Sequence, residues 1–123
     1  MFALHTSNPR YLTIRASGRL TPGDYDSLEP EVEAALRQAQ GQRIALLLDL
    51  RGWTGWTARG FVRDLRFDLK HRNSFSKIAV VGDRRWHEWL TLAAKPVFGG
   101  PMRYFDGARE VDAAEWASGG GRR

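Results

Sequence analysis

The chain contains no cysteine. That excludes a disulfide framework, a thiolate metal site and a cysteine nucleophile together, and it fits a reducing compartment. Long apolar runs are missing as well, since no stretch approaches the roughly 20 residues that span a bilayer. The segment from Met1 to Arg10 also lacks the basic start and long apolar core of a signal peptide. A cytoplasmic location is therefore expected. Acidic residues are outnumbered, 14 against 19 Lys and Arg, which leaves a net charge of +5. Such a balance favours anionic partners and says nothing about fold. The three histidines, His5, His71 and His87, have no ligand spacing such as His-Glu-x-x-His. No metal site, cofactor or catalytic residue is expected from pattern, and Ser74 and Ser76 have no nucleophile-elbow context.

What remains is ordinary globular material. At 123 residues, 42% hydrophobic and 27% charged, the chain is long enough for one core and too apolar for disorder. One domain is expected over residues 1–117, followed by a flexible Gly/Arg tail over 118–123.

From Tyr11 to Leu20 the residues alternate, with Leu12, Ile14, Ala16, Gly18 and Leu20 on one side. This is a strand with one buried face, and Phe2 to His5 is placed to pair with it across Ser7-Asn8-Pro9. Thr21-Pro22-Gly23-Asp24 reads as a helix start, and Tyr25, Leu28, Val32, Leu36 and Ala39 form its apolar stripe. Pro30 predicts a kink or restart near Glu29, and Gly41 a stop. The runs Ile44–Leu48 and Ile78–Val81 are continuously apolar, as in strands covered on both faces. Between them a helix from Thr57 to about His71 is expected to bury Ala58, Phe61, Val62, Leu65 and Leu69, giving a parallel β-α-β unit. A third helix from Asp83 is expected to bury Trp86, Trp89, Leu90 and Ala93 and to end before Pro96. A strand at Met102–Phe105 and a helix at Ala108–Ala117 carrying Val111 and Trp116 complete the α/β reading: a mixed sheet of about five strands with about four helices.

Three stretches, LLLDLRGWTGWT, FDLKHRNSFSKIAVVGDRRWHEWL and RYFDGAREVDAAEW, resemble the SpoIIAA-like family, small bacterial proteins of STAS-type fold. The resemblance covers nearly the whole chain before the glycine tail. It implies the arrangement above and two roles: an apolar ligand pocket, or a regulatory interaction module like the anti-sigma-factor antagonists. Antagonists of that type carry a phosphorylatable serine before a glycine after the Asp-Leu strand end. Here Ala58, Arg59 and Gly60 stand there, and Thr57 is the nearest hydroxyl, so the usual phosphorylation switch is not expected.

Two constellations carry the functional expectation. Trp53 and Trp56 follow one buried strand and Trp86 and Trp89 follow the next, which brings them to the carboxyl edge where α/β proteins bind ligands. Read as a pocket for an apolar or lipid-like molecule, Trp53 and Trp56 form the mouth. Phe61, Trp86, Trp89 and Phe98 then line it, and Arg51 or Arg85 meets a polar head. Read plainly, the indoles fill core. The second constellation is a basic stripe, Arg59, Arg63, Arg66 and Lys70, with Phe67 beside it and off the apolar face. It is either a solvated face moderated by Asp64 and Asp68 or a surface for a protein partner, with Phe67 as a homodimer contact. Nucleic acid is not indicated, because no binding motif accompanies the charge. Gly82-Asp83-Arg84-Arg85 is more economically a helix start than an anion site.

Overall fold

The computed structural model describes residues 1–71, 73–95 and 101–119; the side chains of Ser7, Asn8, Phe61, Leu65 and Leu69 lie outside that description. Alternation along β2 (Tyr11–Leu20) buries Leu12, Ile14, Ala16 and Leu20. β1 (Phe2–Asn8) pairs with it antiparallel, as a tight hairpin allows. The apolar runs form β3 (Ile44–Trp56) and β4 (Phe75–Gly82), and β5 (Met102–Asp106) closes one edge. The sheet order is β1-β2-β3-β4-β5, with β2 to β5 mutually parallel.

Helices α1 (Pro22–Gln38), α2 (Ala58–His71) and α3 (Arg85–Ala94) share one face of the sheet, and α4 (Glu110–Ser118) covers the other. On the first face Tyr25, Leu28 and Val32 of α1 meet Leu12, Ile14, Leu46, Ile78 and Val80. On the second, Ala113 and Ala117 meet Leu47, Ala79, Val81 and Phe105. Strands β3 and β4 are thus apolar on both sides because both sides are covered.

α1 begins in a capping box, with Asp24 accepting from the Thr21 backbone N–H at 2.8 Å. It runs unbroken past Pro30, where the sequence predicts a restart. Pro30 is exposed, so water can take the carbonyl that loses its donor. α3 starts at Arg85 rather than Asp83 and buries His87 and Thr91, while Trp89 and Ala93 stay outside. Val111 is likewise exposed on α4, whose buried positions are the alanines that let it lie close to the sheet. α4 reaches Ser118, one residue beyond the expected domain end, and the tail from residue 120 lies outside the described residues.

Candidate functional site

Trp53 and Trp56 belong to β3 itself, not to a loop after it. Two register shifts against β2 carry the ladder on, so that Gly18 faces Trp53 and Leu20 faces Trp56. The first inserts an extra residue in β3 between Asp49 and Gly52. Leu50 and Trp53, three positions apart, consequently lie on the same face, where both join the core under α1–α3.

The Trp53 ring centroid lies 4.6 Å from Trp56 and 4.6 Å from Trp86, with the His87 ring stacked on it at 5.5 Å. Three of the four expected indoles thus converge at the carboxyl edge, and His87 takes the fourth place. Trp53 is 3% exposed and donates its indole N–H to the Gly55 carbonyl, so it is sealed within the cluster rather than forming a mouth. His87 is fully buried. Its Nδ1 accepts from the Asp83 backbone N–H at 3.3 Å, which leaves Nε2 to donate to the Trp53 carbonyl at 3.2 Å. Desolvation holds its pKa below the ordinary value, against the pull of the Trp53 carbonyl and Asp83, so the ring is neutral. Gly82 makes room for it, since a Cβ there would stand 2.8 Å from His87 Cβ.

Trp89 faces the opposite way and is 72% exposed. With Leu92, also exposed, half-buried Trp86, Arg85 and Glu88 it lines an open cleft of about 550 Å³ along the outer side of α3. Arg85 stands beside Trp86 and Trp89 in that cleft. Arg51 does not. It projects from the α4 face and is held by Asp49 (3.0 and 2.8 Å) and by Glu110 (2.9 Å). Burial alone would raise the Asp49 carboxyl, but hydrogen bonds from Arg51 and the charge of Arg15 outweigh it and keep it low. Asp49 is a structural anchor. Phe98 and the Phe61 side chain lie outside the described residues.

α2 is rotated relative to the expected orientation. Ala58 is exposed and Val62 is 56% exposed, whereas Phe67, expected as a surface contact, is buried against Tyr25 and His71. The reason is charge. α1 presents Asp26, Glu29 and Glu33, and the basic side of α2 docks there: Arg63 bonds Asp26 and Glu29, and Lys70 bonds Glu29 and Glu33 at 2.5 and 2.8 Å. Half of the basic stripe is thus paired with α1, Arg63 largely buried and Lys70 at the exposed rim. Arg59 and Arg66 remain exposed, bordering a second cleft of about 430 Å³ with Pro22, Ala58 and Val62. Thr57 caps α2 by accepting from the Gly60 N–H at 3.0 Å.

Beneath this docking lies a polar chain that periodicity alone does not reveal. Trp56 donates its indole N–H to the Tyr25 hydroxyl at 2.8 Å, and Tyr25 donates to Asp64 Oδ1 at 2.5 Å. Asp64 and Asp68 stand one turn apart on α2, and their carboxyls interact electrostatically. Desolvation raises both carboxyls, and Asp68, facing the charge of Asp64 as well, is pushed up to about 9, so the pair shares one proton at neutral pH. Burial also raises the Tyr25 phenol. The available signal was the i, i+4 spacing of Asp64 and Asp68, which on a solvated helix carries no such meaning.

The model of the SpoIIAA-like family matches residues 11–118. An uncharacterised Shewanella loihica PV-4 protein of SpoIIAA-like fold is 29% identical. It superposes with a TM-score of 0.80 over 95% of this chain and 92% of its own. No curated protein matches. No helix among the described residues is long and apolar enough to cross a membrane. With the Trp-bearing motifs, the five-stranded sheet and the family match in agreement, the chain belongs to the SpoIIAA-like family.

Proposed function

We propose that the protein is a non-catalytic, cytoplasmic binding protein whose ligand is an apolar or amphipathic, lipid-like small molecule lying along the outer side of α3. The observation that carries this reading is Trp89, 72% exposed beside exposed Leu92 and half-buried Trp86, in a cleft of about 550 Å³ rimmed by Arg85. A large exposed indole next to a second apolar side chain costs solubility unless it has a use. The aromatic floor takes the apolar part, and Arg85 meets an anionic head. The cluster of buried Trp53 and His87 with half-buried Trp56 supports the cleft from behind and does not touch the ligand.

One observation favours a second reading, a regulatory protein-interaction module. The cleft is open, and a small ligand in it would be covered on one side only, whereas Trp and Arg on a helix face are the residues that anchor protein contacts. Native mass spectrometry of gently purified protein separates the two. A bound small molecule lost on denaturation, and absent from Trp89→Ala, supports the first reading. An unliganded mass, with no change in tryptophan fluorescence on titration with oleate, removes it and leaves the second. A homodimer, which either reading accommodates, would show in the same spectrum, through a contact other than buried Phe67.

A further inference from the structure

At the far end of α2 from the tryptophans, a buried imidazole points at two carboxylates. Glu29 and Glu33 stand one turn apart on α1, so both project toward the C-terminal end of α2. His71, the last residue of α2, has a side chain only 5% exposed, and its Nε2 is buried with no hydrogen-bond partner. That atom lies 3.6 Å from Glu29 Oε2, and one ligand atom from each of Glu29, Glu33 and His71 falls within 4.8 Å of the others. A buried nitrogen left unmatched beside acceptors has a cost that the fold does not recover from hydrogen bonding.

We propose that Glu29, Glu33 and His71 form a binding site for a divalent transition-metal ion of the Zn²⁺ class, in which Lys70 is a displaceable cation. A tetrahedral ion with bonds of about 2.0–2.1 Å holds neighbouring donors about 3.3 Å apart. The Nε2-to-Oε2 separation of 3.6 Å is within a few tenths of that, and Glu33 closes by side-chain rotation. The Lys70 ammonium already marks where positive charge sits, at 2.5 Å from Glu29 and 2.8 Å from Glu33. Its side chain is more than half exposed and free to swing into solvent.

Charge favours the exchange. Among the described residues, the permanently charged partners of Asp26, Glu29 and Glu33 are Arg63 and Lys70, which leaves one negative charge unmatched in that set. A divalent ion in place of the ammonium balances the cluster, while Arg63 stays on Glu29 Oε1 and orients that carboxylate. One imidazole with two carboxylates suits Zn²⁺ or Co²⁺ better than Mg²⁺, which prefers oxygen ligands only. Histidine spacing could not show this site, because its ligands come from two helices.

The test is calorimetric titration of untagged, chelator-treated protein with ZnCl₂, paralleled by Co²⁺ and its visible absorption. Wild type is expected to bind one ion, with Co²⁺ giving a tetrahedral spectrum and Mg²⁺ failing to compete. Glu33→Gln, a surface change safe for folding, and His71→Gln should each weaken binding by at least about tenfold. Lys70→Gln should tighten it by about tenfold, a gain that misfolding cannot produce. Absence of stoichiometric Zn²⁺ binding by wild type overturns the proposal, as does wild-type affinity in both ligand variants. Unchanged or weaker binding by Lys70→Gln overturns the shared position of ammonium and ion.

Discussion

The shared proton of Asp64 and Asp68 makes stability depend on pH in a direction opposite to that of an ordinary salt-bridged carboxylate. Above about pH 5 both carboxyls are ionised in the unfolded chain, whereas the native pair keeps one proton until Asp68 titrates near 9. The native state therefore binds one proton more, and stability falls as pH rises, by at most about 1.4 kcal/mol per pH unit. His71 and His87 do not interfere above neutrality, because desolvation lowers both. Between pH 7 and 8.5 the loss is at most about 2 kcal/mol, less to the extent that water reaches the half-buried Asp68. Asp68→Asn keeps the shape and a donor toward Asp64 but removes the proton. Urea denaturation followed by tryptophan fluorescence at the two pH values is expected to show a falling midpoint for wild type and a nearly flat one for the variant. Equal slopes for the two proteins would refute the shared proton.

Other perturbations are equally specific. Gly60→Ala places a Cβ 2.2 Å from the Leu20 carbonyl oxygen, and should cost about 2 kcal/mol or more in the same denaturation assay. His87→Ala opens a hole beside Trp53 and leaves its carbonyl without that donor, so a loss of about 2–4 kcal/mol is expected by thermal melting. On the acid side, stability contributed by neutral His87 is complete above its unfolded pKa of about 6.5 and declines as pH falls below it, a decline that His87→Asn should lessen. Asp49→Ala strips the buried partner from Arg51, although Glu110 remains, and should cost about 1–3 kcal/mol by chemical denaturation. Trp89→Ala should leave stability within about 0.5 kcal/mol, since the ring is mostly in water, so any loss of ligand in that variant reports on binding.

The sequence by itself determined the elements and their order. Period-two alternation at Leu12–Leu20, two doubly covered runs at Ile44 and Ile78, and the Thr21-Pro22-Asp24 helix start are local patterns, and each reports its own burial. The motifs carrying the family resemblance lie in those same elements, so the family was legible with them. Convergence of Trp53, Trp56 and Trp86 was legible too, because parallel strands send successive connections to one edge. Tertiary structure alone decided which way each helix turned. On α2, periodicity marked Ala58 and Val62 as inward, yet acidic residues on α1, distant in sequence, drew Arg63 inward, paired Lys70 at the rim and turned Val62 out. On α3, a neutral histidine bonded to Trp53 and Asp83 took the buried place and left Trp89 in water. A bulge in β3 set which face Trp53 joined, and so separated it from Arg51. Hydrophobic periodicity counts apolar side chains along one element. It cannot count the charges and hydrogen-bond partners that a neighbouring element brings to meet them.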